Sequence, residues 1–415
     1  MPHTFRRSLA RALTVACLAA LTMSLRAAPG PKELESLFER YDRAPDGPAR
    51  DTLAAQIDAV AHQKYATVSR LYWHTDLASA RTAAREQGRP ILHLRMLGNL
   101  DEDLSCANSR LFRATLYANQ DVSRFLRERF ILSWSSERPA PRVTIDYGDG
   151  RTLERTTTGN SAHYILDEEG NVLDVLPGLY APAAFLRELE GSLTLAARVR
   201  GKSDDQRANL IADYHNERLI ATKRDWERLA AWIPGAAQLV TPARVESPLA
   251  AAQLATVSKA AIELKELRAI AKELTPAALS ENQVEIWSAA GRALYGIGDP
   301  NLATPRVLDE PSRALVVRLH NDVPRELRAT GQRLDAMIAR LEQTIVADSA
   351  LNQLRLRPQI AREIVRRGGR TDFATLNAWI YAEVFRSPKQ DEWLGLLPRN
   401  VFTGLPGDGV VIRRQ

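Results

Sequence analysis

Sulfur is scarce in this chain. Its 415 residues include 2 cysteines and 4 methionines. Cys17 falls in an N-terminal stretch that reads as a leader, so Cys106 is the only cysteine of the mature chain. One cysteine makes no internal disulfide, which excludes a disulfide-stapled scaffold. Aromatic residues are 6% of the sequence. A core must therefore be built mainly from aliphatic side chains, and the many Ala and Arg residues favour helices. Past the leader no run is apolar for the roughly 18–20 residues that a membrane helix needs. No phosphate loop, metal-ligand run or nucleophile elbow is present.

The N-terminus carries a targeting pattern. Arg6, Arg7 and Arg11 form a basic region, Ala12 to Leu25 is apolar, and Ala27 and Ala28 are small residues before Pro29. This is the pattern of a cleaved secretory signal peptide over residues 1–28, and it predicts a periplasmic or secreted protein. Arg6-Arg7-Ser8-Leu9 leaves a twin-arginine route open beside the general one. The formal charge of +6 owes much to this segment. Arg6, Arg7, Arg11 and Arg26 leave with the leader and no acid does, so the mature charge is +2. That small excess argues against nucleic acid as a partner.

Residues 29–70 read as helical. Pro31 suits a first helical turn, Pro45-Asp46-Gly47-Pro48 breaks the pattern, and Asp51 is placed to cap a second helix. Thr75 is the expected cap of a short helix carrying Ala80, Ala83 and Ala84 and ending at Gly88. Ile91–Met96 reads as a strand, Cys106 opens a helix, and Phe130–Trp134 reads as another strand. Val143–Tyr147 and Arg151–Arg155 flank Gly148-Asp149-Gly150 as a hairpin. His163–Asp167 and Val172–Leu176 form a second hairpin, and Pro182 starts a helix. From residue 199 onward the pattern is mainly helical. A long helix is expected over 204–233, others near Leu254 to Leu264 and from Thr275, and a last one capped by Asp372. Ala314–Leu319 is readable as strand or helix. The apolar tail with Trp393 is expected to pack back on the helices.

Residues 71–195 resemble the thioredoxin-fold domains of bacterial thioredoxin-like proteins. The resemblance rests on Trp73-x-x-Asp76 with Ala80 and Ala84, on Arg89-Pro90-Ile91-Leu92, and on Cys106-Ala-Asn-Ser109 at a helix start. It continues in Tyr164-Ile-Leu-Asp167-x-x-Gly170 and Leu176-Pro-Gly178-x-Tyr180. It implies an α/β thioredoxin-like domain over 71–198, followed by a mainly α-helical C-terminal domain over 199–415. It also implies a nucleophilic thiol at Cys106, with Ser109 in the place of the second cysteine of a CxxC pair. Asn160, Ser161 and His163 then fall where substrate is guided, without the cis-proline that redox members carry there. No acid is evident beneath the cysteine, where Leu94 stands. No cofactor is implied.

A CxxS site can form a mixed disulfide but has no internal thiol to resolve it. Helix-terminus position, Arg110 and Arg113 favour a thiolate, whereas Asp101, Glu102 and Asp103 oppose it. Two functions stay open. One is monothiol disulfide exchange with protein thiols or disulfides as partners. The other is a non-catalytic binding or assembly module for an envelope protein. Cys106 with His93 and His163 as metal ligands is a weaker alternative, since the separations match no metal motif. The arginines of 355–370 read as a solvated helix face.

Overall fold

A computed structural model describes residues 30–157, 159–237, 280–298, 306–322, 325 and 328–385. The leader, the helices expected near Leu254–Leu264, the start at Thr275 and the Trp393 tail lie outside these residues. The molecule is mixed α/β with a large helical part. Among the described residues no helix is long and apolar enough to cross a membrane.

Two helices open the described chain, α1 (Pro31–Arg43) and α2 (Pro48–Ala61), each with proline in its first turn. Proline fits there because its missing N–H would be unsatisfied anyway. Asp51 therefore lies inside α2 and does not cap it. These helices share a small core of their own around Leu37, Phe38 and Ile57, extended by Ala66 in the short α3 (Ala66–Ser69). In α4 (Leu77–Gln87) the cap is Asp76, one residue past the expected Thr75. Its carboxylate accepts from the Ala78 and Ser79 N–H groups.

The central sheet has strands β1 (Ile91–Leu97), β2 (Ile131–Arg138), β5 (Ala162–Leu166) and β6 (Val172–Pro177) in the order β2-β1-β5-β6. β1 runs parallel to β2 and antiparallel to β5, and β5 is antiparallel to β6. β1 and β2 are joined through α5 (Ala107–Leu111), a wider π-type turn (Phe112–Leu116) and α6 (Gln120–Arg129). A helical crossover is what a parallel pair requires. β5 and β6 are buried along their whole length, as expected of strands covered on both faces. Between β2 and β5 stands a separate two-stranded ribbon, β3 (Arg142–Asp146) with β4 (Thr152–Thr156).

The helical part follows. It comprises α7 (Pro182–Val199), α8 (Asp204–Trp232), α9 (Glu281–Tyr295), α10 (Glu310–Asn321), α11 (Gln332–Leu351), α12 (Arg357–Arg366) and α13 (Phe373–Trp379). Ser203 and Ser280 form capping boxes with Gln206 and Gln283, each satisfying two otherwise orphaned N–H groups. Ala314–Leu319 lies inside α10 and is helix. α11 and α12 are joined by a π-type turn (Asn352–Leu356), and α13 runs into another (Ile380–Val384). One continuous set of buried side chains runs from Leu71 in the α/β part to Phe385. Among the described residues the hydrophobic core is continuous across 198/199.

Candidate functional site

β1 delivers the chain to the site. After Leu97 the backbone turns at Gly98, loops through 99–105, and returns so that the Cys106 N–H donates to the Leu97 carbonyl at 3.1 Å. Cys106 is the N-cap of α5 and is a free thiol. It has no exposed surface. Three serines surround it. Its Sγ lies 3.0 Å from Ser161 Oγ and donates to Ser109 Oγ at 3.5 Å. Ser109 Oγ lies in turn 2.7 Å from Ser105 Oγ and 2.8 Å from the Cys106 carbonyl oxygen. Ser105, Ser109 and Ser161 are all buried.

Arg113 closes the back of this cage. Its guanidinium donates to the carbonyls of Leu100 and Glu102 at 2.8 and 2.5 Å and to Ser105 Oγ at 3.3 Å. It thereby ties the 99–105 loop to the helix that carries the thiol. Burial pulls its pKa below the ordinary arginine range. Of the loop's acids, Asp103 pairs with Lys64 at 3.0 Å and Glu102 accepts from Asn99, while the Arg113 guanidinium reaches Ser105 beside the thiol.

The loop before β5 covers the sulfur from the other side. Gly159 has φ 147°, and a Cβ there would stand 2.9 Å from Cys106 Cβ. Only glycine lets the backbone approach so closely. Asn160 and Ser161 are fully buried. His163 lies beside them on β5, also fully buried, with Nε2 2.6 Å from Tyr117 OH and its ring against Phe112 and Phe185. Burial lowers its pKa to about 3, so it is neutral at pH 7. The fold thus brings Cys106, Ser109, Asn160, Ser161 and His163 into one neighbourhood. It places none of them at the surface.

His93 faces the other side of the sheet. Its Nδ1 and Nε2 lie 3.1 and 2.8 Å from Ser133 and Ser135 Oγ, and burial lowers its pKa to about 3. His93 commits both ring nitrogens to serine hydroxyls, whereas His163 commits only Nε2, to Tyr117 OH, and its buried Nδ1 has no hydrogen-bond partner. Among the described residues no group of three or more His, Cys, Asp or Glu side chains is arranged to hold a metal ion.

The helical half completes the enclosure. The chain pairs with β6 at Thr371, whose carbonyl accepts the Val172 N–H at 3.2 Å. Phe373, Asn377 and Tyr381 then fall on one face, four residues apart. Phe373 packs edge-on against His93 and Tyr164. Asn377 accepts from Tyr164 OH at 3.0 Å and donates to Glu137 at 2.9 Å, while Glu137 holds Arg95 at 2.7 Å. Tyr381 OH donates to the Asn160 carbonyl at 2.9 Å, next to Ser161 and the thiol. A second anchor comes from α11. Ser349 accepts the Ala181 N–H, and Asn352 donates to the Leu179 carbonyl at 2.7 Å. Gly178, at φ 72°, leaves room for that amide, which a Cβ would meet at 2.7 Å. The Gly178 N–H donates to the Ser161 carbonyl.

These cover residues carry no motif. Their signal was the alternation on β1 and β2, where His93, Arg95, Ser133, Ser135 and Glu137 put polar groups on one sheet face. A polar face inside an α/β fold calls for a polar cover. Asp348, Asn352 and Asn377 are buried; Asn352 reaches the Leu179 carbonyl beyond the end of β6, and Asn377 reaches Tyr164 on β5 and Glu137 on β2. Arg357 departs from the solvated-face reading. It is 3% exposed and bridges Asp174 on β6 and Glu188 on α7.

A cavity of about 290 Å³ opens elsewhere, beside the N-terminal ends of α6, α7 and α10, with Pro182, Leu186 and Leu308 in its wall. No family model, curated protein or solved structure matches this chain.

Proposed function

We propose that this protein is an exported, non-catalytic binding or assembly module built on a thioredoxin-like domain. The strand order β2-β1-β5-β6, with only β5 reversed, and a cysteine at the helix start after the central strand support the thioredoxin-like reading. The observation that carries the functional reading is the complete burial of Cys106 against Ser109, Ser161 and Gly159, with Tyr381 of the helical half bonded to the neighbouring Asn160 carbonyl. Disulfide exchange requires one sulfur to approach another directly. A sulfur walled in by Gly159, Ser109, Ser161 and the segment ending at Tyr381 offers no such approach. In this reading Asn160 seats the helical half through its carbonyl, Ser161 and His163 belong to the packed interior rather than to a substrate site, and the partner is an envelope protein that binds the outer surface.

Native-state alkylation tests it. The expected outcome is a Cys106 that reacts with a maleimide only at the rate of global unfolding, and quantitatively in denaturant. Trapping on cell extract, with Cys106→Ser as control, is expected to return no Cys106-dependent mixed disulfide. Stoichiometric labelling within minutes under native conditions, or such a mixed disulfide, would restore monothiol exchange as the function.

A further inference from the structure

The β3–β4 ribbon is the one sheet of the described chain with open edges and no opposing layer of its own, and a lone two-stranded ribbon is marginal in water. Its two edges differ. On the β4 side the ribbon is held to the body, since Arg110 donates to Thr156 Oγ1 at 2.8 Å. On the β3 side no described strand pairs with it.

The direction of the backbone groups follows from the register. Val143 pairs with Arg155 and Ile145 with Leu153. The flanking bonds are Thr157 N–H to Pro141 O and Tyr147 N–H to Arg151 O. Hydrogen-bonded pairs alternate along an antiparallel ladder, so Val143 and Ile145 turn their N–H and C=O groups toward β4. Arg142, Thr144 and Asp146 turn theirs outward. The side chains of these three are exposed as well.

We infer that this edge pairs with the same edge of a second copy of the chain, antiparallel, on a two-fold axis through Thr144. That register sets Thr144 opposite its own copy and Arg142 opposite Asp146 of the other protomer, twice. Each triplet has six outward backbone groups, and all twelve find partners across the axis, giving six backbone hydrogen bonds. Opposite charges stand directly across from one another, the favourable arrangement for a cross-strand pair. Asp146 Oδ1 accepts the Gly148 N–H at 2.8 Å, and among the described residues no side-chain ion pair engages Arg142 or Asp146. On the other face Val143 meets Ile145 of the second copy, and Leu153 beside it lengthens the apolar stripe across four strands. The same operation on β4 centres on Glu154 and sets like charges face to face, which is unfavourable. The charge pattern therefore selects the β3 edge and selects a second copy.

Sedimentation velocity over a concentration series tests this on the full chain. The wild type is expected to shift from monomer to dimer with rising concentration, and less so at high salt. Arg142→Glu and Asp146→Arg are each expected to weaken the dimer at least tenfold. The double variant, Arg142→Glu with Asp146→Arg, is expected to recover it, because the pair is reversed and not removed. Thr144→Pro deletes an outward N–H and is expected to abolish the dimer, with circular dichroism reporting an unchanged fold. A chain monomeric at every concentration overturns the inference and leaves the edge to an extended segment of another protein. A dimer insensitive to both charge reversals overturns it too.

Discussion

Two histidines make the molecule acid-sensitive. His93 and His163 are fully buried, hydrogen-bonded to neutral hydroxyls, and lowered by burial to about 3. In the unfolded chain they titrate near 6.5. A folded pKa below the unfolded one means stability is fully present above about pH 6.5 and is lost as pH falls toward 3. At pH 5 each is expected to cost about 2 kcal/mol, from 1.36 kcal/mol per pH unit. His74 and His215 shift in the same direction, also through burial. Urea unfolding at pH 7 and pH 5 measures the sum. A stability unchanged between those values would mean that the imidazoles are charged or exposed in the native state. At this scale the helix start put Ser109 one turn from Cys106, and the thioredoxin-like resemblance alone implied that Ser161 and His163 lie beside them. The sequence could not give their burial, which depends on side chains 200 residues away.

At the scale of elements, Arg357 decides how the helical half is fixed. Its guanidinium spans the carboxylates of Asp174 on β6 and Glu188 on α7, and Arg218 on α8 also holds Glu188. Tyr214 and Ser192 donate to Asp174 at 2.9 and 2.7 Å. Burial alone would push both acids up, but Arg357 and Arg218 hold both below the usual carboxylate range. Removing the cation leaves two buried carboxylates short of a partner. Arg357→Ala is therefore expected to cost about 3–5 kcal/mol. Adding Asp174→Asn and Glu188→Gln to it is expected to recover part of that loss. Denaturant midpoints check this, and a loss below about 1 kcal/mol for the single variant would show that solvent reaches the pair. In the sequence Arg357 was one arginine among several at helical spacing. Arg362, Arg366 and Arg370 are exposed as the pattern implied. The π-type turn at 352–356 changes the phase of the helix just before Arg357, and an α-helical period cannot anticipate that shift.

The whole molecule behaves as one packed unit in its described part. The main core of the described residues runs from Leu71 to Phe385, and Trp226 of α8 packs edge-on against Trp287 of α9 while donating to the Leu354 carbonyl. A fragment of residues 71–198 would expose Asp174, Glu188, Tyr164 and the polar face of β1 and β2 beneath α13, along with the apolar side chains that complete the shared core. Such a fragment is expected to lack a cooperative thermal transition and to bind a hydrophobic dye, whereas the full chain melts in a single step. A sharp transition in the fragment would show that the helical half is a separate domain.

The order of strands and helices from Leu77 to Val199 was set by short-range patterns: alternation in β1 to β6, prolines and acids at helix starts, and Gly148-Asp149-Gly150 at the ribbon turn. The thiol's place at a helix start was set in the same way. Three matters waited on the structure: the cover over Cys106, the choice of Asp76 over Thr75 as a cap, and the helix at 314–319. The Asp76 cap is a local bond to the Ala78 and Ser79 N–H groups, which Thr75 was equally suited by type to seek. A helix in place of a strand and the burial of a sulfur are settled by what packs against the segment. For Cys106 the deciding groups are Tyr381 and Asn352, far along the chain, whose contacts leave no periodic trace near residue 106.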